Sequence, residues 1–292
     1  MTQFLQLVVS GLENGISYSL VGLALVLIYQ TSAALNFAQG TMATMSGFVA
    51  YAVVVEHHMP WAVGAVAGIL VGGLLGGITE RVAIRPLLGA PLLSLVIATI
   101  AIDSILGNLT QRIWGPDTKA LPGPLGGKDF HLGGVAFNRT YVVIAISTVV
   151  ILLLVGWMLR YTRLGLAMRA FADDQFASEL QGIAPQNVSR MVWIISAAIG
   201  GITGVLFAPL LFVQVGYMTP VFIKGFTAAV LGGFVSNAGA VGGGLLLGVL
   251  EALSVKYVSS TFAPILPLLI ILVALLARPT GVFNRKSVVQ RV

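Results

Sequence analysis

The sequence predicts an all-α fold, a polytopic transmembrane bundle of about eight or nine membrane helices, with about 20 apolar residues to each crossing. Three observations lead to it. Hydrophobic residues fill 57% of the 292 positions and charged residues only 9%, against about 25% charged in a soluble domain. Mean hydropathy is +0.97, as for a chain dissolved mostly in lipid. The apolar residues also fall in long blocks separated by short polar breaks. Such a chain has no room for a large water-soluble domain, so residues 1–292 read as a single transmembrane domain, and any soluble catalytic module sits on another polypeptide.

The first block carries Gln3, Gln6, Ser10 and Glu13 at steps of three and four, a polar stripe continued by Ser17, and runs on to Tyr29. The first basic residue is Arg81. The amino end therefore lacks the charged region of a cleavable signal and is expected to remain on the mature protein. A polar break from Gln30 to Asn36 precedes the second block, Phe37 to Val55, and the third, Trp61 to Ile78, stops at Glu80, Arg81, Arg85 and Pro86. The fourth, Leu92 to Leu109, leads into a Gly/Pro-rich outer polar segment, 111–139. Tyr141 to Leu159 crosses next, followed by a charged loop, 160–190. Met191 to Phe212, a glycine-rich pair divided at Ser236-Asn237-Ala238-Gly239, and Ala263 to Ala277 complete the bundle before a basic tail.

Charge sets the orientation. Placing Arg81 and Arg85, the 160–190 loop and the tail in the cytoplasm puts ten Lys/Arg inside and leaves six outside, as the positive-inside rule favours. The net charge of +6 is scattered without a Lys/Arg run, which makes it a topology signal for a chain in a lipid bilayer rather than a footprint for nucleic acid. Cysteine is absent, which excludes disulfides and thiolate chemistry.

Lipid tails give helices no hydrophobic reason to associate, so close approach through small residues has to hold the bundle together. Gly64, Gly68, Gly72 and Gly76 form one ridge at i, i+4 spacing, and Gly200/Gly204 and Gly244/Gly248 repeat it. These glycines read as packing surfaces.

Asp103 lies near the centre of the fourth block, where a bare carboxylate costs about 3 kcal/mol, so it must face protein or water. Thr99, Ser104, Asn108 and Gln111 extend its polar side. It reads either as a hydrogen-bonded packing acid or as a pathway group. One acid alone makes no proton relay, and the route is expected to run past uncharged groups and backbone. Glu251 is the other deep acid, with Lys256 just over a turn later and able to snorkel to an interface. An ion-coupled secondary transporter would show several intramembrane carboxylates and broken helices in matching halves; neither pattern is present, although that class and a channel remain the alternatives. No His, Asp and Glu spacing completes a metal site.

Uphill transport needs an energy source, yet the chain lacks a GxxxxGK[ST] phosphate loop; Gly126-Gly127-Lys128-Asp129 is the nearest approach and reads as a turn. In the 160–190 loop, Ala172 to Gln181 predicts a short helix with Asp173 and Asp174 at its positive end and Gly182 as a left-handed stop, with Pro185 beyond. Phe176, Ala177 and Leu180 share one face of it, an apolar patch able to dock on another protein or pack on its own bundle. Asn36 reads as a cap for the second block, and Gln39 and Thr41 follow it as pathway candidates with Asp103.

Six stretches in order carry a family resemblance: NFAQG at 36–40, ERVAIRPL at 80–87, YTRLGLAMRAFADD at 161–174 with QGI at 181–183, FTAAVLGGF at 226–234, AVGGGLLLGVLEAL at 240–253, and RPTG at 278–281. The chain resembles the integral membrane permease subunits of the high-affinity branched-chain amino acid ABC importers. The resemblance implies a multi-pass protein of the bacterial inner membrane that is not itself an enzyme and carries no cofactor. It implies a second homologous permease, two cytoplasmic ATPase subunits that bind ATP and Mg, and a periplasmic solute-binding protein. It places residues 170–183 at the loop that engages the ATPase, with Arg169, Asp173, Asp174, Phe176, Leu180 and Gly182 as coupling candidates. The Glu-Ala-Ala triplet of the broader importer motif is missing here. The implied substrates are branched-chain or related neutral amino acids, with amides or urea as the alternative.

Overall fold

The computed structural model describes residues 2–124, 129–132, 135–173, 175–234, 236–260 and 264–277. Its helices in chain order are α1 (Thr2–Ser32), α2 (Gln39–Tyr51), α3 (Trp61–Thr79), α4 (Leu92–Trp114), α5 (Arg139–Tyr161), α6 (Arg163–Asp173), α7 (Gln175–Leu180), α8 (Pro185–Leu211), α9 (Thr219–Gly232), α10 (Asn237–Tyr257) and α11 (Leu266–Ala277). A π-turn at Ala52–Glu56 prolongs α2, and another at Glu80–Ile84 prolongs α3. The outer polar segment holds an antiparallel hairpin, β1 (Asp129–Leu132) with β2 (Val135–Asn138), a small departure from the all-α expectation. The Gly126-Gly127-Lys128 turn, Asp174 and the RPTG stretch lie outside the described residues.

Among the described residues six helices are long and apolar enough to cross a membrane: Phe4–Ser32, Trp61–Leu87, Leu92–Trp114, Val142–Tyr161, Pro185–Leu211 and Asn237–Tyr257. The sequence expects eight or nine. Three further helices fall outside that set: α2, which with its π-turn runs over residues 39–56 but carries Gln39, Thr41, Thr44 and Ser46, and α9 and α11, whose described lengths are 14 and 12 residues. At 1.5 Å per residue the described parts of α9 and α11 do not exceed about 21 Å, short of the roughly 30 Å hydrocarbon core. Apolar blocks mark lipid-like surroundings; they do not separate a full crossing from a short helix enclosed by its neighbours.

Contacts divide the chain into two compact units, Met1–Val26 with Ile223–Val292, and Leu27–Phe222. In the second unit, α2, α3 and α8 pack against one another along the predicted glycine ridge. A Cβ on Gly68 would lie 2.5 Å from the Ser46 carbonyl oxygen of α2, one on Gly72 would lie 3.0 Å from the Ala197 carbonyl of α8, and one on Gly76 would lie 2.5 Å from the Ala197 Cβ. The ridge faces α2 at one end and α8 at the other, and at both only hydrogen fits. The opposite face of α3 leaves Val63, Val66, Leu70 and Leu74 exposed, the apolar surface expected against lipid.

In the other unit, Gly11 and Gly15 of α1 meet Gly244 and Gly248 of α10: a Cβ on Gly15 would lie 2.8 Å from the Gly244 carbonyl. The Ser19 hydroxyl reaches the Gly15 and Val241 carbonyls, both at 2.8 Å. Glu251 of α10 pairs with Lys224 of α9 at 2.5 Å, and Tyr18 of α1 donates to its other oxygen at 2.8 Å. Lys256, the base nearest Glu251 in sequence, is exposed instead.

Candidate functional site

The break between α1 and α2 is organised by Asn36. Its Oδ1 accepts the Ala38 backbone N–H at 3.1 Å, and its Nδ2 donates to Gln39 Oε1 at 2.8 Å. Gln39 in turn donates through Nε2 to the Ser196 carbonyl of α8 at 2.9 Å, and Gly200 leaves room for that amide. Both side chains are about 1% exposed. They form a satisfied polar link between α2 and α8, the arrangement under which buried amides are tolerated, and neither lines the cleft at Thr41 and Asp103.

One turn along α2 the surface changes. Thr41 donates its hydroxyl to the Asp103 carboxylate of α4. These two residues, with Thr44, Ser104, Asn108, Gln111 and Thr219 among others, line a cleft of about 300 Å³ between α2, α4 and the turn that enters α9. Asp103 is half-buried at its wall. Of the four pathway candidates, the structure brings Thr41 and Asp103 together on the cleft and sets Asn36 and Gln39 behind it. Thr44 is fully buried, and its hydroxyl has no hydrogen-bond partner among the described residues. Thr44 stands three residues after Thr41, on the same face of α2, and that spacing was the available signal for it.

The turn that closes the cleft is fixed at two points. Val213 pairs with Lys119 through reciprocal backbone hydrogen bonds of 2.8 Å. Tyr217 donates to the Gly204 carbonyl of α8 at 2.6 Å, against Gly47 of α2, which has no side chain to block the phenol. Burial pushes the Tyr217 phenol well above its ordinary pKa, so it stays a neutral donor throughout the physiological range. Gly216, at φ +78°, supplies the left-handed step between these anchors.

The predicted coupling loop folds as two helices. Thr162 starts α6 by accepting the Gly165 N–H at 3.1 Å, and Arg169 donates to the Gly165 and Arg160 carbonyls, both at 3.3 Å, tying α6 to the end of α5. The backbone of Asp173 ends α6, and α7 begins at Gln175. The side chains of Asp173 and Phe176 lie outside the described residues. Gly182 ends α7 at φ +83°, with its N–H on the Glu179 carbonyl at 3.0 Å and that of Ile183 on the Ser178 carbonyl at 3.1 Å, the paired bonds of a left-handed glycine stop. Pro185 then opens α8 at its first position. Leu180 is 74% exposed beside this stop. Among the described residues no cluster of His, Asp and Glu is placed to hold a metal ion.

The family described as the permease component of the branched-chain amino acid transport system matches residues 7–276. The chain belongs to this family. Its relatives include the high-affinity branched-chain amino acid transport system permease protein LivH of Salmonella typhimurium, 31% identical over 98% of this chain and 97% of the relative. BraD of Pseudomonas aeruginosa, a permease protein of the same description, is also 31% identical, with the same coverage. The probable branched-chain amino acid transport permease LivH of Methanocaldococcus jannaschii is 30% identical over 93% of this chain and 91% of its own length. The permease is therefore matched from end to end, and both the cleft and the α6–α7 loop lie within the matched region.

Proposed function

We propose that this permease is the membrane-conducting subunit of an ATP-binding cassette importer that moves branched-chain or related neutral amino acids across the bacterial inner membrane. The observation that carries the reading is the match over residues 7–276 to a permease family whose relatives are named for branched-chain amino acid transport. In this reading the chain is not an enzyme. ATP and Mg bind two cytoplasmic ATPase subunits, and a second homologous permease completes the membrane domain. A periplasmic solute-binding protein delivers the solute.

The cleft at Thr41 and Asp103 is the pathway element in this reading, with Asn36 and Gln39 as positioning residues that hold α2 in place beside it. The α6–α7 loop is the coupling element in this reading: Arg169 fixes α6 to α5, Asp173 and Asp174 are coupling candidates by sequence, and Phe176 and Leu180 are the docking residues before Gly182. Purified complex containing the ATPase and the binding protein tests this. Solute-dependent ATP hydrolysis that disappears when this chain is omitted supports the reading, and solute-dependent hydrolysis that persists without it opposes the reading.

A further inference from the structure

We infer that the cleft between α2, α4 and the α9 entry turn is a station for the ammonium group of a zwitterionic amino acid, with the Asp103 carboxylate as the anchor. The inference rests on the proposed amino-acid importer reading and adds the chemical feature by which the permease itself selects its solute. Four observations carry it.

The first is charge. Among the described residues Asp103 has no basic partner within salt-bridge distance, whereas Glu251 is paired with Lys224. Asp103 has only the Thr41 hydroxyl, which occupies one of its two oxygens. A carboxylate inside a membrane helix that is left without a cation is costly and faces water or a partner; here it faces a cleft. The second is the unused hydroxyl of Thr44, buried at the same wall. An orphaned buried polar group of this kind is costly unless something bonds to it, and an ammonium with three donors can bridge a carboxylate and a hydroxyl.

The third is the opposite charge at the turn. Helix α9 begins at Thr219, which also lines the cleft, and a helix start carries the positive end of a dipole that favours a carboxylate. The cleft therefore offers an anion to one end of a zwitterion and a partial positive charge to the other. The fourth is size and rigidity. About 300 Å³ is at the small end of ligand sites, suited to one amino acid and not to a peptide. The turn is pinned at Val213 and Tyr217, so the wall is preorganised. A single carboxylate supported by hydroxyls also gives weak holding, as a route that must release its cargo requires.

The absence of cysteine from the native sequence permits a direct test. Asn108→Cys places one thiol on the cleft, and its reaction with a water-soluble thiol reagent is followed in the assembled complex. L-leucine is expected to protect the thiol. 2-Hydroxy-4-methylpentanoate, the same skeleton without the amine, is expected not to. Adding Asp103→Asn should raise the leucine concentration for half-protection by at least about tenfold, the loss expected when a charged hydrogen bond is removed, and Asp103→Glu should recover part of it. Equal protection by the hydroxy acid overturns the inference, as does unchanged protection in Asp103→Asn. No labelling, or labelling that neither solute prevents while the complex still takes up leucine, overturns the station and leaves the importer reading standing. A wild-type complex that takes up no neutral amino acid removes both.

Discussion

Lys224 and Glu251 form an ion pair of 2.5 Å between consecutive helices α9 and α10, and Tyr18 of α1 caps it by donating to the second carboxylate oxygen. Lys224 also donates to the Tyr18 hydroxyl at 3.1 Å and sits 5.1 Å from the centre of its ring. Three helices of one unit thus share a mostly enclosed neutral cluster. Removing one charge leaves the other without its partner. We predict that Glu251→Gln or Lys224→Met alone destabilises the protein by about 3–5 kcal/mol, while the double replacement recovers most of the loss. Thermal unfolding in detergent measures this, and a double variant no more stable than either single one counts against the pairing.

Glycine replacement should be graded by position. Gly76→Ala places a methyl 2.5 Å from the Ala197 Cβ across the α3–α8 contact, whereas Gly156 of α5 has nothing within 4 Å. The first should sharply lower the yield of folded protein, because two rigid helices must separate to admit the methyl. The second should be neutral or stabilising by about 0.5–1 kcal/mol, the helix penalty of glycine. Melting temperatures of the two variants, compared side by side, decide it.

Tyr217→Phe tests the anchor of the cleft. The Gly204 carbonyl loses its buried donor, at a cost of about 1–3 kcal/mol, and the 213–218 turn loses one of its two fixed points. Slower transport with normal ATPase association is the expected outcome, measured as uptake per assembled complex. Unaltered uptake together with unaltered stability would show that the hydrogen bond is dispensable.

The coupling face is tested by Phe176→Ala with Leu180→Ala. Each side chain, if fully buried on a partner, contributes about 1.5–3 kcal/mol, and Leu180 stands 74% exposed in the isolated chain. The double variant should insert normally but recover less ATPase on co-purification. Full recovery of the ATPase would move the docking surface elsewhere.

Much of the fold was legible because it is written in local spacing. The ridge from Gly64 to Gly76 follows from i, i+4 periodicity, and Gly182 stops α7 as a left-handed glycine should; Asn36, read as the cap, instead accepts from Ala38, which is itself the N-cap of α2 and has no side-chain cap bond. The polar side of α4 was visible too, and it lines the cleft. What stayed hidden depends on which helices are neighbours. Tyr18 and Glu251 lie 233 residues apart, and no period in either helix announces their meeting. The sequence did hold a usable signal for the pair, one basic residue on α9 and one acid on α10, two apolar helices in succession; nearness along α10 drew attention to Lys256 instead. The Tyr217 bond to Gly204 and the unpartnered hydroxyl of Thr44 are likewise properties of packed surfaces. Six helices among the described residues have the length and composition of a span, while α9 and α11 are apolar helices of 14 and 12 described residues, a distinction that hydropathy blocks do not draw.

The central claim is that this chain conducts amino acids inward on energy supplied by partner ATPases. Its most direct test is the uptake of labelled leucine into proteoliposomes holding the complete complex, with ATP inside the compartment that the ATPase subunits face and the binding protein on the other side. The account predicts accumulation that requires ATP, requires this chain, and is unchanged by a protonophore. Accumulation that continues without ATP and collapses with the proton gradient would contradict it.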